Sequence, residues 1–233
     1  MLSTKNIPTG SGMSKSILPG AKVVKINSIT LDTVPYDQKA YHLTLHCETE
    51  PIDGLDGFFI DKDDPSKGKY LGQIGRVKCS MYPFSDGVTK SGIKIDRDRT
   101  ILQSVKNLAA ELGYMDWFEA QDNKFNTIED FVTHLDKTKP FKNIYFNAVI
   151  GGKEYDKNGY TNYDLFLPKF DKVSKPVEKI DNIPSTASTA SLVKYDPETH
   201  IRKQNKSTSS NAPVEMFEGL TPVSSTVGSD FDL

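Results

Sequence analysis

Cysteine is almost missing from this chain: Cys47 and Cys79 are the only two in 233 residues. Each alternates with apolar neighbours, so both read as buried free thiols of a reducing compartment rather than a disulfide framework. Histidine is scarce too, at four, and no Cys or His cluster has zinc spacing. His42 and His46 share a strand face but lie roughly 13 Å apart, too far for one metal, and read as surface imidazoles. Asp61, Lys62, Asp63 and Asp64 start like a calcium loop, but Ser66 and Gly72 stand where the loop needs Gly and Glu. Gly68-Lys69-Tyr70 lacks the upstream Gly and the following Ser or Thr of a phosphate-binding loop. Asp96 and Asp98 alternate with Lys94, Arg97 and Arg99, the pattern of a solvated charged segment rather than a nuclease carboxylate pair. No nucleophile elbow is present. No apolar run reaches bilayer length, and residues 1–16 have no apolar core of a secretory signal. These absences point to a soluble, cytoplasmic, non-enzymatic protein with no metal, cofactor or membrane contact.

Charge of one sign is missing locally. Residues 207–233 hold no Lys or Arg, only Glu215, Glu218, Asp230 and Asp232. Residues 65–99 are the reverse, with eight basic residues against Asp86, Asp96 and Asp98. The formal net charge of -2 hides this basic middle and acidic end.

Within the basic stretch, residues 76–84 read with the period of a strand. Val77, Cys79 and Met81 point to a core. Arg76, Lys78, Ser80, Tyr82 and Phe84 point the other way. Cations interleaved with aromatics on one sheet face suit a single nucleic-acid strand, because phosphates want fixed positive charge and unpaired bases want flat rings. The alternative is an ordinary strand whose outer face is covered. Lys67, Lys69 and Tyr70 in the preceding loop, and Lys94, Arg97 and Arg99 after it, extend the basic track. Tyr145 and Tyr160 are further stacking candidates.

The order of elements gives the fold expectation. Residues 1–16 read as a disordered N-terminus, with Met13 an alternative start. Residues 21–32 form a long strand whose apolar parity switches between Val24 and Ile29, the sign of a bulge near Asn27-Ser28. Residues 41–48 form a second strand, with Tyr41, Leu43, Leu45 and Cys47 inward and His42, Thr44, His46 and Glu48 outward. Short strands follow at 57–61, 76–84 and 93–95. The period then becomes helical. Ile101, Leu102, Val105, Leu108, Ala109 and Leu112 share a helix face, capped by Thr100 with Gln103 and closed by Gly113. Ile128, Phe131, Val132 and Leu135 mark a second helix that Pro140 ends. Strands return at 143–150 and 160–167, with Gly151-Gly152 and Asn158-Gly159 read as turns. The expected class is mainly β with an inserted helical segment (α+β). A binding domain spans 17–170, with its helical insert at about 100–138, as an OB-like, partly open β-barrel. A β-sandwich with helices at one end competes. Residues 171–233 are too poor in apolar groups to repay ordering and read as a flexible low-complexity tail.

A β-rich core with basic and aromatic faces, followed by such a tail with an acidic-hydrophobic tip, resembles the single-stranded DNA-binding proteins of bacteriophages. Gly57-Phe58-Phe59-Ile60-Asp61, Gly75-Arg76-Val77 and Tyr163-Asp164-Leu165-Phe166-Leu167-Pro168 are similar to such proteins in phages of gut bacteria. The resemblance implies a protein that coats single strands during replication or recombination, with little sequence preference and possible homo-oligomerisation. It also implies that Asp230, Phe231, Asp232 and Leu233 recruit replication or recombination partners. A virion or assembly protein and an annealing mediator are the alternatives. DNA and RNA are not distinguished by these residues.

Overall fold

The computed structural model of the chain describes residues 14–52, 59–60, 69–168 and 195–203; for Phe59, Ile60 and Lys69 the description stops at the backbone. Its first two strands make a long antiparallel hairpin, β1 (Gly20–Val34) and β2 (Asp37–Thr49). The register slips between Ile26 and Ser28, so Asn27 is one residue too many for its partner strand. A bulge of this kind flips the inward parity and bends the strand, which is how Val24, Ile26 and Ile29 are all buried. The bulge is held from outside. Asn27 Nδ2 donates to Glu48 Oε2 at 2.9 Å, Lys139 Nζ donates to the Asn27 carbonyl at 2.7 Å, and the Ile29 amide donates to Asp136 Oδ1 at 2.9 Å.

Short strands follow: β3 (Phe59–Ile60) with β4 (Lys69–Tyr70), then β5 (Ile74–Lys78) on β2, then β6 (Gly87–Val88) with β7 (Lys94–Ile95). Three helices come next: α1 (Arg97–Leu112), α2 (Met115–Glu119) and α3 (Ile128–Thr138). The hairpin β8 (Tyr145–Lys157) and β9 (Tyr160–Phe166) returns to the sheet. Its two-residue turn puts Asn158 and Gly159 at positive φ, 55° and 79°, the mirror-image turn whose twist matches the strands. Near the C-terminus a single helical turn, α4 (Pro197–His200), leads into β10 (Ile201–Arg202).

The main sheet runs β1-β2-β5-β9-β8-β10, and β1 also pairs with β8 through residues 20–25 and 145–150. The molecule is therefore mainly β, with a sheet that curls into a partly closed ring. The weak seam is β5 on β9, a parallel contact of two residue pairs, Val77 with Leu165 and Lys78 with Phe166. Where β5 and β9 part, the entering chain fills the gap. Ser16 bridges to Ile74, the Ile17 amide donates to the Ile74 carbonyl at 2.9 Å, and Ile17 is buried. Gly75 makes room for it: a Cβ there would sit 3.0 Å from Ile17 Cβ. Inside the ring lie Leu43, Leu45, Cys47, Val77, Phe146 and Ile150, continuous with Ile101, Val105 and Leu108 of α1 and Phe131, Val132 and Leu135 of α3.

Several expectations need correction. The strand that starts near Arg76 stops at Lys78; beyond it Phe84 makes only an isolated bridge to Tyr41. The cap of α1 is Asp96, whose side chain accepts from the Arg99 amide, and not Thr100. Gly151 and Gly152 do not turn the chain. They lie inside β8, where added Cβ atoms would strike the His200 carbonyl at 2.8 Å and Pro19 Cγ at 2.6 Å. The glycines mark close approach instead. Residues 14–16, expected to be disordered, are held against β5, with Ser16 bridged to Ile74, and residues 195–203 of the expected flexible tail fold onto β8. On the outward face of β2, Thr44 and Glu48 are buried, and His42 and His46 are half-buried rather than surface imidazoles.

Candidate functional site

The outer face of β2, β5 and β9 carries the chemistry that the sequence singled out. Antiparallel pairing sets Thr44 opposite Lys78 and His46 opposite Arg76. Two grooves adjoin on this face and share Asp32, Lys78 and Asp164. The larger, of about 880 Å³, follows the parting of β5 and β9 past His46, Tyr70, Arg76, Tyr155 and Asn162. The smaller, of about 740 Å³, lies under the β1–β2 turn, with Pro35, Tyr36, His42, Tyr82, Lys153 and Arg202 around it.

The two central cations are already partnered. Arg76 Nη2 meets Asp32 Oδ2 at 2.8 Å, and Lys78 Nζ meets Asp164 Oδ2 at 2.6 Å. Burial works against the Asp32 carboxylate, yet the Thr44 hydroxyl and the Arg76 guanidinium outweigh it and hold its pKa below the usual value. Burial, with Lys78 nearby, lowers the pKa of His42, so this imidazole is neutral at pH 7. The face thus offers positioned donors but little excess charge.

Aromatic rings supply what charge does not. Tyr36 is 82% exposed, Tyr160 75% and Tyr82 70%, although rings of this size are normally well covered. Tyr36 sits in the tight β1–β2 turn. Tyr160 follows the β8–β9 turn and shares a strand face with Asn162 and Asp164 by the period of two. Tyr82 lies just beyond the end of β5. Tyr36, Tyr155, Lys153 and Arg202 were missed by sequence reasoning. For Tyr36 a signal existed, since a two-residue turn usually carries Gly, Asn or Asp.

Other candidates do not join the grooves. Phe84 packs half-buried against the core, with its amide and carbonyl bonded to Tyr41. Tyr145 is buried under Lys25, whose ammonium lies 5.6 Å from the ring centroid, so it presents no face for stacking. The Arg97 guanidinium lies 4.5 Å from the Tyr41 ring centroid and donates to Asp98 and to the Lys39 carbonyl. Lys94 and Arg99 are exposed on β7 and α1 but line neither groove. The backbone of Lys69 pairs with Ile60. Lys67, Asp230, Phe231, Asp232 and Leu233 lie outside the described residues.

Cys47 and Cys79 are free and buried, and burial pushes the Cys47 thiol up to about 12. Among the described residues no three His, Cys, Asp or Glu side chains are grouped to hold a metal, and no helix is long and apolar enough to cross a membrane. The arrangement can stack flat rings, donate hydrogen bonds and meet anions. The chain matches no protein family, no curated protein and no solved structure.

Proposed function

We propose that the protein binds single-stranded DNA, without catalysis and with little sequence preference, across the β2–β5–β9 face. The observation that carries this reading is the pair of exposed tyrosines on the groove under the β1–β2 turn, Tyr36 and Tyr82, with a third exposed ring, Tyr160, at the start of β9. Exposed flat rings suit unpaired bases, each stacked base being worth about 1–3 kcal/mol. Strand order supports the finer fold reading, an OB-type barrel. Five strands β1-β2-β5-β9-β8 follow one another around the ring, with the helices inserted between the third and fourth in chain order. OB barrels bind oligonucleotides on the face of their second and third strands and on the two hairpin loops beside it. Those places correspond here to β2 with β5, to Tyr36 and to Tyr160.

On this reading the protein belongs with the bacteriophage single-stranded DNA-binding proteins that it resembles, acting in replication or recombination in the host cytoplasm. Asp230, Phe231, Asp232 and Leu233 form its recruitment tip, because two apolar groups between carboxylates fit a small pocket rimmed by cations. Anisotropy of a labelled dT oligomer against a duplex of equal length tests the proposal. Single strands bind in preference, and Tyr82→Ala weakens that binding by about 1–3 kcal/mol. Equal or absent binding of the two probes refutes it.

A second reading, an interaction module of an assembly protein, draws on Asp32 and Asp164, which offset the two central cations. Nucleic-acid affinity that ignores salt would favour it, because phosphate contacts always carry a salt slope.

A further inference from the structure

The β8 strand is longer than the partner that closes the ring. Its pairing with β1 ends at Ile150 opposite Gly20, while β8 continues to Lys157. From Gly151 onward one edge of β8 is released, and an open edge invites foreign strands. The chain covers it with its own C-terminal segment: β10 pairs in parallel, Ile201 with Gly152 and Arg202 with Lys153. The approach to this strap is built in detail. Asp196 caps its single helical turn through the Glu198 amide, the Asp196 amide donates to His200 Nδ1 at 2.9 Å, and Tyr195 stacks on the His200 ring. Gly151 leaves the space that the His200 carbonyl occupies.

Ordering such a polar segment costs roughly 1–2 kcal/mol per residue in backbone entropy, and Ile201 is only half-buried in return. What the strap brings is a cation. The pairing of Arg202 with Lys153 sets two basic residues side by side at the groove of Tyr36 and Tyr82. Among the described residues neither has an ion-pair partner, in contrast to Arg76 and Lys78. The positive charge of this groove that forms no ion pair among the described residues therefore comes from Lys153, which lies across from Asp164 on β9, and from a segment that looked like tail.

We infer that Arg202 and Lys153 form the phosphate subsite of the tyrosine groove, so that strap docking and binding of a single strand reinforce each other. This rests on the single-strand reading above. A strand whose base stacks on Tyr82 would lay its phosphate against the pair, and each phosphate so neutralised releases counterions. Linkage then requires the bound strand to hold the strap down.

The test uses the full chain and a labelled dT oligomer over a range of salt. Arg202→Ala and Lys153→Ala each lower the slope of log affinity against log salt by about 0.7. Arg202→Lys retains the slope, and Tyr82→Ala weakens binding without changing it. Hydrogen exchange at the Ile201 and Arg202 amides slows when the oligomer is added. Both cations are exposed, so thermal melting should match the parent chain. Unchanged slopes in both alanine variants, with Tyr82→Ala still weakening, overturn the subsite and leave the groove reading standing, with the strap a mere edge cover. Failure of the parent chain to bind the oligomer removes the groove reading itself, and the subsite with it.

Discussion

Asp32 and Asp164 decide how much of the basic face is available. Each holds a cation in a fixed place, and each cancels most of its field at the distance of a bound phosphate. Asp164→Asn should free Lys78 and raise single-strand affinity at low salt several-fold, a part-exposed pair of this kind being worth about 1 kcal/mol. Loss of affinity in a salt titration of that variant would mean that the aspartate positions Lys78 rather than masking it. The thiols are a second test at this scale. A pKa pushed up to about 12 leaves Cys47 without reactive thiolate at pH 8, and burial pushes Cys79 the same way. An aromatic disulfide reagent should find no thiol in the native protein and both after urea. Immediate native labelling would contradict the packing of β2 against residue 79. Residue identity made the thiols legible, because each alternates with Leu or Val. It could not reveal the acids opposite Arg76 and Lys78, which come from strands far away in sequence.

Elements were legible wherever one face alone is buried. The helix faces of α1 and α3 follow the apolar period, and the parity switch in β1 located its bulge at Asn27. β8 was legible as a strand at 143–150 but not in its facing, because Tyr145, Phe146, Asn147 and Ala148 are all buried; a strand covered on both sides loses its alternation, and Tyr145 read as a surface ring. Gly151-Gly152 misled for a different reason: glycine signals a turn and a close backbone approach equally well. The cap of α1 separates two local readings by experiment. Asp96→Ala should cost about 1 kcal/mol in urea unfolding, whereas Thr100→Ala, three residues inside the helix start, should cost less. The reverse order would move the helix start back to Thr100.

For the molecule as a whole, the ring depends on what fills its seam. Ile17 occupies the gap between β5 and β9, and Gln73 Nε2 donates to the Ser14 carbonyl at 2.6 Å. A chain begun at Met13 keeps this plug. A chain begun at Gly20 loses Ile17 and should be less stable by about 2–5 kcal/mol, the range for deleting a buried aliphatic side chain. Equal melting temperatures for the chains begun at Met13 and at Gly20 would show that the seam closes unaided. Architecture at this scale was only half visible from the sequence. The succession of strands along the chain and the helical insert followed from periodicity, but the docking of residues 195–203 rests on a few backbone hydrogen bonds that composition cannot announce.

The pairing of Gly20 with Ile150 also sets the timing of assembly. β1 is made before every other strand of the sheet, yet one of its two neighbours is not synthesised until the helices are complete. At about 5–20 residues per second, the Gly20–Lys25 edge waits on the order of ten seconds for its partner. During that wait the β1–β2 hairpin offers an unpaired strand to any neighbouring nascent chain. Contacts so remote in sequence slow folding into the millisecond-to-second range. The helical insert is synthesised during that wait, between the open edge and the strand that closes it.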